Sequence, residues 1–216
     1  MVFEGDRAVG AIVDGEVVGA DLVVLSAGAI GSPRILLRSG IEAGSNLQDH
    51  VTAKLVFQTN NVMRTQTPVP FSNGIVTTPD LHLLPIQDRL GERAHITVAL
   101  LRPHSRGRVG LRDMDHRLLS DERDRKALEA GLELARELAA HEELPRLGRP
   151  VTSSIDETLG IYFHPVGTCS EAVDATGRVQ GFENLYVADA SVFETIPRAN
   201  THLATLALAE RTAASI

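Results

Sequence analysis

The sequence predicts an α/β (α+β) chain in which one strand–turn–helix layer is begun, left for a separate antiparallel sheet, and then resumed. Three observations predict it. An apolar strand over Asp21 to Leu25 feeds the small-residue turn Ser26-Ala27-Gly28-Ala29-Ile30-Gly31 and then a helix. From Val51 to about Leu111, short β-prone pieces alternate with loops rich in Pro, Asn and Gly, the pattern of an antiparallel sheet. From about residue 151 the chain returns to compact, glycine-punctuated strands and closes with a helix.

Each element follows from its residues. Ala8 to Val13 and Glu16 to Val23 are β-prone runs split by Asp14-Gly15, whose tolerance of positive φ suits a two-residue hairpin turn. The run to Leu25 is continuously apolar after Asp21, as expected of a strand covered on both faces. The next helix is expected from about Pro33 to Arg38, with Ser32 as cap, Pro33 in the first position and Gly40 as stop. A strand, a tight glycine turn and a helix form the unit that brings backbone close to a dinucleotide.

Lys54 to Gln58, Ile96 to Leu101 and Arg108 to Leu111 are the expected pieces of the antiparallel sheet. Asp121 to Ala140 give the clearest helix. Leu128, Gly131, Leu132, Ala135, Leu138 and Ala139 share one face, while Glu122, Asp124 and Glu133 are polar and their side is expected to be solvated. Ser120 or Asp121 caps it. His141 to Pro150 reads as a connector. Leu185 to Ala188 is a short strand ending at Asp189, and Ser191 to Arg198 is a loop. Asn200 to Ala213 form a helix whose Leu203, Leu206 and Leu208 among alanines predict burial on most sides.

With 216 residues, 43% of them apolar, and mean hydropathy near zero, the composition is that of a soluble globular chain with one large domain or two small ones. A formal charge of −7 and a pI of about 5.6 argue against nucleic acid or an anionic membrane as partner, since either would be repelled at long range. A small or neutral substrate fits better. No apolar stretch is long enough to span a membrane, and Met1 to Arg7 carries Glu4 and Asp6 where a signal peptide would be basic and then apolar. The expected location is cytoplasmic. A single cysteine, Cys169, excludes an internal disulfide and reads as a buried thiol. His82, His95, His104, His116 and His141 lack a paired ligand spacing, so no metal site is expected.

Four stretches, in order and in rough spacing, resemble the glucose-methanol-choline family. They are Leu25-Ser26-Ala27-Gly28-Ala29-Ile30-Gly31-Ser32-Pro33 continuing to Ile41; Asn46-Leu47-Gln48-Asp49-His50; the weaker Ser105-Arg106-Gly107-Arg108-Val109; and His164-Pro165-Val166-Gly167-Thr168-Cys169 through Leu185 to Ser191 and on to Asn200-Thr201-His202. The resemblance implies a partial FAD-binding, Rossmann-like domain over residues 1–50 and 151–216. Between them, residues 51–150 would form a substrate domain whose antiparallel sheet lies over the flavin. It implies oxidation of an alcohol to a carbonyl, with oxygen, a quinone or a protein accepting the electrons. His164 and His202 fall on the two positions that face the reactive edge of the flavin. Ala27 and Gly28 would lie near the nucleotide portion, and Asp189, Ala190, Asn200, Thr201 and Leu203 beside the ring system.

The chemistry explains the histidines. Hydride leaves an alcohol carbon readily only as the hydroxyl proton departs, so a base must sit within hydrogen-bond reach of that oxygen. Imidazole titrates near neutrality. His164 is assigned as the base and His202 as the group that orients the hydroxyl or stabilises the developing alkoxide; two close imidazoles would titrate as a coupled pair. The helix after Asn200 offers unpaired N–H groups and a partial positive charge at its start. Outside the family, His164 is a loop residue, His202 a helix-start residue and Asp189 the cap of the turn that follows it.

The chain departs from the family pattern in four ways, one of them Glu194 where a proline is often found. The amino-terminal Gly-x-Gly-x-x-Gly fingerprint that holds the FAD pyrophosphate has no counterpart, so an amino-terminal half of the same enzyme is an expected partner. Apolar surface and sheet edges meant for it would be exposed. The connection from Ile41 to Asn46 is short, and His202 stands where many members carry asparagine. A noncatalytic fragment or subunit of a flavoprotein and a lyase of the same family are the alternatives.

Overall fold

The structure, a computed structural model, describes residues 1–58, 74–87, 93–141, 149–152 and 154–216. In chain order, β1 (Val2–Glu4), β2 (Arg7–Val13), β3 (Glu16–Gly19) and β4 (Val23–Leu25) precede α1 (Gly28–Arg38). Then come β5 (Val51–Gln58), β6 (Val76–Thr77), β7 (Leu81–Gln87), β8 (Arg93–Leu100), β9 (Arg108–Val109) and β10 (Met114–Asp115). The chain continues through α2 (Glu122–Ala140), β11 (Arg149–Thr152), α3 (Ile155–Thr158), β12 (Gly160–Ile161) and β13 (Leu185–Val187), and ends with a 3₁₀ turn (Ala190–Val192) and α4 (Thr201–Ala213). It folds as two compact units: unit 1 comprises Met1–Asp49, Arg106–Leu118 and His164–Ile216, and unit 2 comprises His50–Ser105 and Leu119–Phe163.

Unit 1 begins with the antiparallel meander β1-β2-β3. Asp14 and Gly15 have φ of 52° and 88°, the left-handed pair that a two-residue hairpin with right-handed strands requires. The second run ends at Gly19 rather than at Val23. β4 pairs in parallel with β13, Val23 opposite Leu185 and Leu25 opposite Val187. The expectation that this strand is covered on both faces is not met, since Val24 is 42% exposed: among the described residues its sheet has two strands only.

α1 starts at Gly28, ahead of the expected Pro33. Pro33 therefore lies inside the helix, where it cannot donate to the carbonyl of Ala29. The Thr168 hydroxyl donates to that oxygen instead, at 2.6 Å. Nor is Ser32 the cap: its hydroxyl reaches back to accept from Ala27 N at 3.0 Å. The stop is as expected. Gly40 has φ 77°, and the N–H groups of Gly40 and Ile41 donate to Leu37 and Leu36, a Schellman motif. The core gathers Ala8, Leu25, Leu36, Cys169, Val179, Leu185 and Val187.

Unit 2 is a six-stranded sheet of order β11-β5-β8-β7-β6, with β12 also pairing β5. Alternation places Val51, Ala53, Leu55 and Phe57 of β5 on the side of Val98 and Leu100 of β8, and α2 packs there through Leu128, Leu132 and Ala135. A Cβ on Gly131 would come within 2.5 Å of Val98 Cγ1, so the close approach of helix to sheet needs glycine. Asp121 caps α2 by accepting from Arg123 N, and the Arg123 guanidinium and N–H hold its carboxyl well below the usual carboxylate range. Asp124, expected on the solvated side, is buried and accepts from His104 N and Ser105 N, both at 2.8 Å. Arg108 to Leu111 does not join this sheet. β9 pairs with β10 in unit 1. Most of the connector His141 to Pro150 lies outside the described residues.

Candidate active site

The carboxyl ends of the parallel strands β4 and β13 meet at one point. Ala27 and Gly28 follow β4, and Asp189 follows β13. Asp189 is 6% exposed. Its Oδ2 accepts from Gly28 N at 2.9 Å and from Ser32 Oγ at 2.5 Å, and its Oδ1 accepts from Ser191 N at 2.8 Å. Asp189 is thus the cap of the following turn and also a clamp between that turn and the start of α1. The carboxylate is engaged by protein donors, so what it offers a ligand is the position of neighbouring backbone. Gly28 has φ 74°, and a Cβ placed on it would meet nothing within 4 Å. In open α/β sheets this end of the strands is where ligands bind.

The loop carrying His164 is tied to the same point. Gly167 N donates to Ala190 O at 3.1 Å and Cys169 N to Ser191 O at 2.8 Å. On its other side, His164 N donates to Asp49 Oδ1 at 3.0 Å, and Gln48 and Val166 exchange both main-chain hydrogen bonds. Gly167 has φ 94°, and a Cβ there would lie 2.5 Å from Asn46 O, so this approach also depends on glycine. Cys169 is fully buried. Its thiol is pushed up to about 12 by desolvation, against hydrogen bonding to Ser191 that lowers it. It is a neutral packing group at physiological pH.

His202 is the second residue of α4 and is exposed. Asn200 stands at the N-cap without a side-chain capping bond, and no acidic residue occupies the first turn. The first-turn N–H groups of Thr201, His202 and Leu203 therefore face a positive helix end that Asn200 does not satisfy. The expected burial of α4 is overturned. Leu203 is 76% exposed and Leu206 50% exposed, while Thr212 is buried; α4 docks by its carboxyl end, where Thr212 packs beside Gly177, and Ala204, Thr205, Leu208 and Ala209 are only half-buried.

Ala27, Gly28, Asp189 and Ala190 are thus brought together with the His164 loop, whereas Asn200, Thr201, His202 and Leu203 form the open start of α4, also in unit 1. Among the described residues no cluster could hold a metal ion, and no helix is long and apolar enough to cross a membrane. Gln48 and Asp49 carry no role expected from the sequence. A signal was available: two polar residues in succession between Leu47 and the apolar start of β5.

Two family models, both described as GMC oxidoreductase, match residues 4–52 and 103–209. The 5-(hydroxymethyl)furfural oxidase of a Methylovorus species is 32% identical, over 90% of this chain and 50% of that protein. The alcohol dehydrogenase (acceptor) of Pseudomonas putida is 27% identical, over 88% of this chain and 50% of its own length. Among solved structures, pyridoxine 4-oxidase from Mesorbium loti superposes with a TM-score of 0.77 at 25% identity, covering 93% of this chain and 52% of that one. The chain spans about half the length of the curated relatives it matches. The match of both models in order along the chain, together with these relatives, places the chain in the GMC oxidoreductase family.

Proposed function

We propose that the chain supplies the histidine-bearing part of an FAD-dependent enzyme that oxidises an alcohol to a carbonyl, with unit 1 in the cofactor-binding domain and unit 2 as the substrate domain. One observation carries the reading. At the ends of β4 and β13, the open backbone of Gly28, the Asp189-Ala190 turn and the His164 loop are joined by hydrogen bonds. The oxidase and dehydrogenase names of the relatives favour net oxidation over lyase chemistry or a noncatalytic subunit.

The residues present fit the cofactor. The space beside the Gly28 Cα leaves room for a nucleotide, and the start of α4 has no side chain capping it. Ala27 and Gly28 would hold the nucleotide portion, and Asp189, Ala190, Asn200, Thr201 and Leu203 the ring system. Bound flavin supplies the acceptor for the hydride. His164 takes the hydroxyl proton, a role worth about 10² to 10⁴ in rate. His202 donates a hydrogen bond to the same oxygen and stabilises negative charge on it, and the start of α4 favours negative charge beside it. The substrate is a small alcohol, and oxygen, a quinone or a protein takes the electrons. Ile12, Val17, Leu203 and Leu206, all half or more exposed, form the surface for an amino-terminal half carrying the glycine fingerprint.

The test is anaerobic flavin reduction by a primary alcohol, using the chain together with that half. Bleaching of the flavin band supports the reading. With His164→Ala the flavin stays bound and its reduction slows about 10² to 10⁴-fold; an unchanged rate would sink the base assignment.

A further inference from the structure

Gln48 is 1% exposed, and its whole amide is engaged. Nε2 donates to Asn46 Oδ1 at 3.2 Å and to Glu194 O at 3.0 Å, and Oε1 accepts from Ile196 N at 3.1 Å. Its main chain is paired in both directions with Val166, at 3.1 and 2.9 Å. One residue is therefore bonded by its backbone to the loop that carries His164 and by its side chain to the segment that leads into α4 and His202. Its neighbours repeat the tie. Asn46 Nδ2 donates to Ser170 Oγ at 2.9 Å and to Glu194 O at 3.2 Å, and Asp49 accepts from His164 N.

Burying an amide is costly unless its donors and acceptor are matched. Here two of the three bonds go to main-chain atoms of a loop distant in sequence, where an apolar side chain of equal volume would fill the space but fix nothing. We infer that Gln48 is a positioning residue that sets the separation of His164 and His202 by holding the His164 loop and the segment that leads into α4 to a single point. This rests on the reading of the histidines as an acting pair. The demand is steep, because a misplacement of about 1 Å at a reacting group costs about 10²-fold in rate.

The test uses the full 216-residue chain with isotope-labelled histidine imidazoles. Gln48→Met keeps the volume and the main-chain pairing but removes all three side-chain bonds. The imidazole signals of His164 and His202 both move, while those of His82 and His104 stay. Movement of only one of the pair, or of neither, overturns the inference. Gln48→Glu keeps the acceptor for Ile196 N but turns an oxygen toward Glu194 O and Asn46 Oδ1, so both signals move in it as well. Should Gln48→Met not fold, Asn46→Gly decides on the same readout, since it keeps the backbone φ of 57° and drops the bond from Gln48 together with those to Ser170 and Glu194.

In the flavin-loaded assembly Gln48→Met lowers kcat about 10²-fold with little change in KM. The labelled-histidine readout needs neither flavin nor alcohol. Joint movement in a protein that oxidises no alcohol would leave the brace standing and remove the functional reading; oxidation with only one histidine displaced would do the reverse.

Discussion

Unit 2 lays α2 along the apolar side of a six-stranded sheet, whereas unit 1 joins β4 to β13 over only three residues and ties its loops together with buried polar side chains. In unit 2, although Asp124 and a few other polar side chains are buried, much of the stabilisation comes from area removed from water, about 25 cal/mol per Å², and tolerates some sliding of one side chain past another. In unit 1, Asp189, Gln48, Asp49, Ser32, Thr168 and Asn184 are all buried and bonded across long stretches of sequence. Such bonds are directional, and each donor left unpaired costs about 1 to 3 kcal/mol. The difference teaches where precision is needed: the unit that holds the histidine loops is the one built from geometry-dependent contacts.

The sharpest way to break this comparison is to empty part of the unit 2 core. Leu128→Ala should cost about 2 to 5 kcal/mol in urea unfolding, and hydrogen exchange should accelerate in unit 2 while unit 1 keeps its protection. An equal loss in both would mean that the units are not separately stabilised. Next comes Asp189→Ala, which strips partners from Gly28 N, Ser32 Oγ and Ser191 N. A loss of about 2 to 3 kcal/mol is expected, with exchange accelerating around the start of α1 and the 3₁₀ turn.

Thr168→Val sharpens the point. It leaves the Ala29 carbonyl without a donor, at a cost of about 1 to 2 kcal/mol. In a Pro33→Ala background the helix regains its own N–H for that oxygen, so the cost of Thr168→Val should shrink. Strict additivity in the double-mutant cycle would refute the pairing.

The smallest expected effects concern pH. Burial lowers the pKa of His82 in unit 2, so below about pH 6.5 the unfolded chain binds a proton that the folded one resists, and stability falls as pH falls. Burial pushes the Cys169 thiol of unit 1 up to about 12. Stability should therefore be lost as pH rises through the unfolded thiol's value of about 8.5. His82→Gln should flatten the acid limb and Cys169→Ala the alkaline one, both read by thermal unfolding across pH.

What the sequence made legible is largely what neighbouring residues decide. Asp14-Gly15, the Gly40 stop and the Asp121 cap each depend on a few adjacent positions, and all three stand in the structure. The start of α1 was misplaced because Pro33 is tolerated inside a helix only when a hydroxyl from far along the chain serves Ala29. β7 was missed because Pro85 argues against a strand. It is accommodated because β6 pairs only as far as Leu83, which leaves the outer edge of β7 beyond it without a strand partner among the described residues. Asp124 looked solvated because its two partners, His104 N and Ser105 N, are main-chain groups that leave no mark in composition. At the site, the small residues Ala27 and Gly28 and the strand end at Asp189 could be picked out along the chain. The clamp that joins them, and the Gln48 brace, could not, since both are pairings between distant segments.

The parallel pairing of β4 with β13 also orders events in time. Val23 cannot find Leu185 until the 161 residues between them have been synthesised, and contacts this far apart in sequence form late because the loop must close before they give any return. All the residues of unit 2 leave the ribosome before β13 does. Its sheet can be complete while β4 and α1 still wait, with their apolar sides open to chaperones and to unwanted partners.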